Sequence, residues 1–128
     1  MMAPKLLIAV PDLLFRSKLQ DAARRAGAEI YSAVSSAGVV SRSLEYLPDA
    51  VVIDLVDERL DPIELIRRLK REPRLAGTRI VGFFPHVQVA VRDAAKAAGC
   101  DVVVPRSIVA TSLAAILAGA VPAATDES

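Results

Sequence analysis

Ala50-Val51-Val52-Ile53-Asp54 is an apolar run that stops on a carboxylate, and its reading decides the fold. So short and uniformly apolar a run suits a strand buried on both faces. Pro48-Asp49 turns the chain into it. Beyond it, Asp61-Pro62 reads as a helix start, a capping carboxylate followed by proline in the first turn. Working outward, residues 5–10, 28–33, 79–84 and 101–104 read as further strands. Residues 13–26, 62–72, 87–98 and 108–119 read as helices, and Ser35 or Ser36 caps another in which Val40, Leu44 and Leu47 face inward. Five strands alternating with five helices predict an α/β fold: a doubly wound parallel sheet, a three-layer sandwich with strand order 2-1-3-4-5. That order sets the first and third strands side by side. Asp12 and Asp54 then meet at the carboxyl rim, where Arg106, just past Val102-Val103-Val104-Pro105, joins them.

The composition fits one folded domain. The chain has 128 residues, 53% of them hydrophobic, which excludes disorder throughout. A formal net charge of +1 argues against electrostatic capture of nucleic acid. The basic cluster Arg67, Arg68, Lys70, Arg71 and Arg74 reads as a solvated helix face. The single cysteine, Cys100, allows no internal disulfide and no multi-cysteine metal site, so a cytoplasmic setting is expected. No apolar run is long enough to span a bilayer. Residues 1–121 are expected to form the domain and residues 122–128 a flexible tail. The turn after the first strand, Pro11-Asp12-Leu13-Leu14, is not the glycine-rich loop of a nucleotide site.

Two acids and a cation at one rim suit a divalent metal and a phosphoryl group. A carboxylate at a strand end can attack phosphorus and become an aspartyl phosphate. Such a transfer needs positioning and charge neutralisation. Asp54 would be the nucleophile. Asp12, Asp54 and the Val56 carbonyl would hold a weakly bound magnesium ion, and Arg106 would face the phosphoryl oxygens.

On these residues the chain resembles the CheY-like receiver domain of two-component response regulators, a flavodoxin-like fold, over roughly residues 4–119. Pro48 to Leu55 resembles the segment carrying the phospho-accepting aspartate. Leu60-Asp61-Pro62-Ile63-Glu64-Leu65 looks like the opening of the family's third helix, and Ala98 to Val104 the approach to its lysine. The departures are as informative. The family's adjacent pair of acids matches Pro11 and Asp12, so one carboxylate is missing. The hydroxyl residue ending the fourth strand matches Phe84, the lysine matches Arg106, the following proline matches Ser107, and the switch aromatic matches Val103. Pro11, Phe84 and Ser107 are therefore expected as pocket wall. Asp57 and Glu58 make the loop after Asp54 unusually acidic, and Glu58 or Asp57 would in part replace the lost ligand if that loop folds back.

The resemblance implies a receiver domain in phosphorelay signal transduction, with Asp54 as acceptor in a degenerate site. It implies a signalling domain and not an enzyme, with a histidine kinase or phosphotransfer protein upstream and a protein partner downstream. The alternative is a pseudo-receiver that never takes phosphate and binds a partner, or a second copy, through its fourth-to-fifth-helix surface. A weaker third reading is a small-ligand-binding or enzymatic flavodoxin-like domain, with a hydrophobic ligand against Phe83, Phe84 and His86.

Overall fold

The apolar run is strand β3 (Ala50–Asp54), buried along its whole length at the centre of the sheet. In the computed structural model, which describes residues 3–85 and 88–119, it is flanked by β1 (Lys5–Ala9) and β4 (Arg79–Phe84). The outer strands are β2 (Glu29–Ser32) and β5 (Val102–Pro105). All four pairings are parallel, in the order β2-β1-β3-β4-β5, as the sequence predicts.

Alternation along β3 divides the core in two. Val51 and Ile53 pack with Val39, Leu65, Ile66 and Leu69 under helices α2 (Ser36–Tyr46), α3 (Pro62–Lys70) and α4 (Val89–Ala98). Ala50 and Val52 pack with Phe15, Leu19, Val109 and Ile116 under α1 (Leu13–Arg25), α5 (Arg106–Thr111) and α6 (Leu113–Leu117). Gly82 in β4 lets Leu55 lie against the sheet: a Cβ there would sit 2.7 Å from both Leu55 methyl carbons.

The structure departs from the sequence reading at three places. The last helix starts at Arg106 and breaks at Ser112, where the backbone leaves helical geometry (φ −106, ψ 12). Thr111 Oγ1 bonds back to the carbonyls of Ser107 and Ile108, a local competition that weakens a helix at such a point. Leu47 does not face inward; it closes α2 in the left-handed region and is 46% exposed. Val39 and Ser43 are the buried positions of α2, and the expected Val40 and Leu44 pack half-buried against the same core. Asp61 precedes α3 without capping it through its side chain. Its left-handed backbone (φ 45) is imposed by the 3₁₀ turn it closes, whereas an N-cap side chain needs extended backbone to reach the first turn. His86 and the tail, residues 122–128, lie outside the described residues.

Candidate functional site

Three loops meet at the carboxyl rim. After β1, Asp12 takes extended backbone and its Oδ2 accepts from Phe15 N at 3.0 Å, capping α1. Arg16 Nη1 donates to the carbonyls of Val10 and Pro11 at 2.9 and 3.0 Å, which fixes the same turn from inside α1.

Asp54, the last residue of β3, is only 4% exposed. Its Oδ1 accepts from Val56 N at 3.1 Å, an aspartate turning the chain through its own side chain. Asp57 repeats the device two residues on. It caps the 3₁₀ turn Glu58–Leu60, accepting from Arg59 N at 3.0 Å. It also takes Nε and Nη2 of the Arg59 guanidinium at 3.0 and 2.8 Å, a bidentate clamp.

From the other side comes Arg106, the first residue of α5. Its guanidinium carbon lies 5.0 Å from the centre of the Phe15 ring, and its Nε is buried with no hydrogen-bond partner. Phe15 is held in turn against Phe83, ring centres 5.0 Å apart.

Asp12, Asp54, Val56 and Arg106 thus line one open hollow of about 480 Å³, together with Asp57, Glu58 and Arg59. The sequence reading missed Arg59, although the Asp57-x-Arg59 spacing was there to be read as a clamp across a tight turn. Pro11, Phe84 and Ser107 are not among the lining residues. Phe84 lies in the core beside Val103, under the α2–α4 layer. Phe83 lies in the opposite cluster, so the two rings share no ligand wall. A groove between α1 and the α5–α6 pair, lined by Lys18, Ala22, Arg25, Thr111 and Leu113, holds no carboxylate, histidine or cysteine.

The hollow holds four carboxylates and two guanidinium groups. Burial pushes the Asp54 carboxyl above its ordinary value; Asp57 and Asp12 push the same way, while the Val56 N–H and Arg106 oppose it. Hydrogen bonds from the Arg59 side chain hold Asp57 below the ordinary value. The same bonds hold the guanidinium more firmly charged, with further attraction from Asp12 and Asp54.

The resemblance seen in the sequence implies a magnesium ion at this rim. Hard oxygen donors are present in Asp12, Asp54 and the Val56 carbonyl. Among the described residues, however, no three His, Cys, Asp or Glu side chains are grouped to hold a metal. Asp12 is already bonded to Phe15 N, and Asp57 is clamped by a guanidinium inside the same hollow. As arranged, the residues do not fit a resident divalent cation.

No protein-family model and no curated protein matches the sequence. Solved structures do resemble the fold. A chain described as a response regulator of Chloroflexus aurantiacus superposes with a TM-score of 0.81 at 22% identity, covering 91% of this chain and 99% of that one. The chemotaxis response regulator CheY4 of Vibrio cholerae gives 0.78 at 13% identity, covering 90% and 99%. The phosphorylated cyanobacterial phytochrome response regulator RcpA gives 0.74 at 16% identity, covering 92% and 91%. The fold is that of the CheY-like receiver domains. Among the described residues, no helix is long and apolar enough to cross a membrane.

Proposed function

We propose that the chain is a receiver domain in a phosphorelay, with Asp54 as phospho-acceptor, and that it signals by protein contact and turns over no metabolite. The observation that carries this reading is the convergence of Asp54, Asp12 and Arg106 on one hollow at the switch point between β1 and β3. In the transfer, a carboxylate oxygen of Asp54 attacks the phosphorus of a phosphohistidine on a histidine kinase or phosphotransfer protein. The P–N bond breaks, the imidazole leaves and takes up a proton, and an aspartyl phosphate forms. Arg106 faces the phosphoryl oxygens with its positive guanidinium. The Val56 N–H, already bonded to Asp54 Oδ1, holds the attacking group in place. Modification adds about −2 charge beside Asp57 and Glu58, which biases the loop after β3.

Incubation with acetyl phosphate, followed by intact-mass measurement, tests the reading. The wild-type chain is expected to gain one phosphoryl group and Asp54→Asn none. No gain in the wild type, with or without added magnesium, would overturn it.

One observation favours a second reading, a pseudo-receiver that binds a partner without phosphate. Phe84, where the family has a hydroxyl residue, is buried with Val103 and offers a phosphoryl oxygen no hydrogen bond. On that reading the surface formed by α4 and the α5–α6 pair carries the contact in a single fixed state.

A further inference from the structure

Five cations crowd the end of α3 and the turn after it: Arg67, Arg68, Lys70, Arg71 and Arg74, with one acid, Glu72, among them. A helix C-terminus attracts positive side chains, and α1 and α4 answer that pull with Arg24 and Arg25 in one last turn and Lys96 in the other. α3 carries Arg67, Arg68 and Lys70 there, and Arg71 and Arg74 follow directly. Helix polarity accounts for part of this cluster and leaves the rest without a role in the fold. All five residues are exposed. Arg67, Arg68 and Arg71 share one outward stripe with Glu64, opposite the buried Leu65, Ile66 and Leu69. The ends of the patch are anchored: Lys70 Nζ pairs with Asp101 at 3.0 Å, and Arg74 Nη2 donates to the Leu44 carbonyl at 3.0 Å. Its middle is open. Arg71 reaches Glu64 only at 3.7 Å, and among the described residues the guanidinium groups of Arg67 and Arg68 make no hydrogen bond or ion pair.

We infer that the outer face of α3, with Arg67, Arg68 and Arg71 at its centre, is a docking surface for an acidic segment of a partner protein. The charge sets the sign of the partner, and the residue type sets its groups: a guanidinium fork takes a carboxylate through two parallel bonds. Complementary charge of this kind speeds encounter and fixes register. Glu64 and Glu72 stand inside the patch and oppose the uniform phosphate row of a nucleic acid or an anionic membrane. A net charge of +1 gives no long-range pull toward such a polyanion either. A protein segment with spaced carboxylates avoids both acids. No residue of α3 lines the hollow around Asp54, so the inference stands apart from the phosphorylation reading.

The test is fluorescence anisotropy with a fluorescein-labelled peptide of alternating Glu and Ala, and no phosphodonor. The wild type is expected to bind it, more weakly at about 300 mM salt than at about 50 mM. Arg67→Ala with Arg68→Ala is expected to weaken binding about tenfold. Arg67→Gln with Arg68→Gln, which keeps long side chains on the helix, should lose as much; circular dichroism checks that both fold. Arg24→Ala with Arg25→Ala removes the same charge from α1 and should bind like the wild type. Equal loss in the α1 and α3 variants would reduce the effect to net charge and overturn the proposal. Failure of the wild type to bind the peptide would overturn it too, as would tighter binding of duplex DNA or phosphatidylserine vesicles through Arg67 and Arg68.

Discussion

The two ends of the sheet treat their polar groups in opposite ways. At the amino end Asp49, Thr78, Arg79 and Asp101 are each tied to a neighbouring segment. Asp49 Oδ2 accepts from Lys5 N at 2.7 Å, Thr78 Oγ1 donates to the Pro48 carbonyl at 2.7 Å, and Arg79 Nη1 donates to the Ile116 carbonyl at 2.9 Å. Asp101 takes both Ile80 N and Lys70 Nζ. At the carboxyl end Asp54 is buried on a single backbone donor, and Arg106 holds a buried Nε without a partner. The amino rim spends these polar atoms on joining segments; at the carboxyl rim Asp12 and Asp57 are tied up in turns, while Asp54 and Arg106 keep bonding capacity for chemistry. Unsatisfied, charge-perturbed groups gathered at one edge are what a functional site looks like on physical grounds.

The largest effect that would test this contrast comes from Gly82→Ala. The new Cβ meets the buried Leu55 side chain that leads into the Val56–Asp57 turn. A loss of about 1–3 kcal/mol in urea unfolding is expected, together with slower modification of Asp54. An unchanged midpoint would mean the carboxyl rim has slack that the packing denies. Next comes Thr78→Val at the amino rim. It removes the hydroxyl that serves the Pro48 carbonyl and should cost about 1–2 kcal/mol.

Asp54→Asn should act in the opposite direction. The amide still accepts from Val56 N, but a buried charge is gone, so the variant should be more stable by about 1 kcal/mol at neutral pH. The sign follows from the raised carboxyl. Below the ordinary carboxylate value the group is protonated both folded and unfolded, and the two proteins should be equally stable. As pH rises from there through the raised value of Asp54, the wild type loses stability and the variant does not. Parallel pH curves would contradict the burial of an ionised Asp54. The smallest effect is expected for Arg59→Ala. Its side chain is largely exposed, so the melting temperature should stay unchanged.

How much could be read in advance follows the same divide. The strands were legible because a buried parallel strand is a bare apolar run: the expected 50–54 and 79–84 are the bounds of β3 and β4. Strand order followed from handed crossovers, which depend on no side chain in particular. The rim was legible only in outline. Asp12, Asp54 and Arg106 came from their places at strand ends, but the Asp57–Arg59 clamp depends on a 3₁₀ turn that has no hydrophobic period to announce it. The break at Ser112 was hidden because Val109, Leu113 and Ile116 keep a helical spacing across it. Leu47 was misplaced because spacing says nothing of where a left-handed residue ends the helix.

The central claim is that the buried carboxylate ending β3 forms a covalent bond to phosphorus. Borohydride reduction of the acetyl-phosphate-treated protein, followed by peptide mapping, tests it most directly, because an acyl phosphate is reduced to an alcohol and a free carboxylate is not. A reduced side chain at position 54, and at no other acid of the rim, is the predicted result. A phosphoryl group trapped at Asp12 or Asp57, or an unreduced Asp54 in a protein that still carries phosphate, would contradict it.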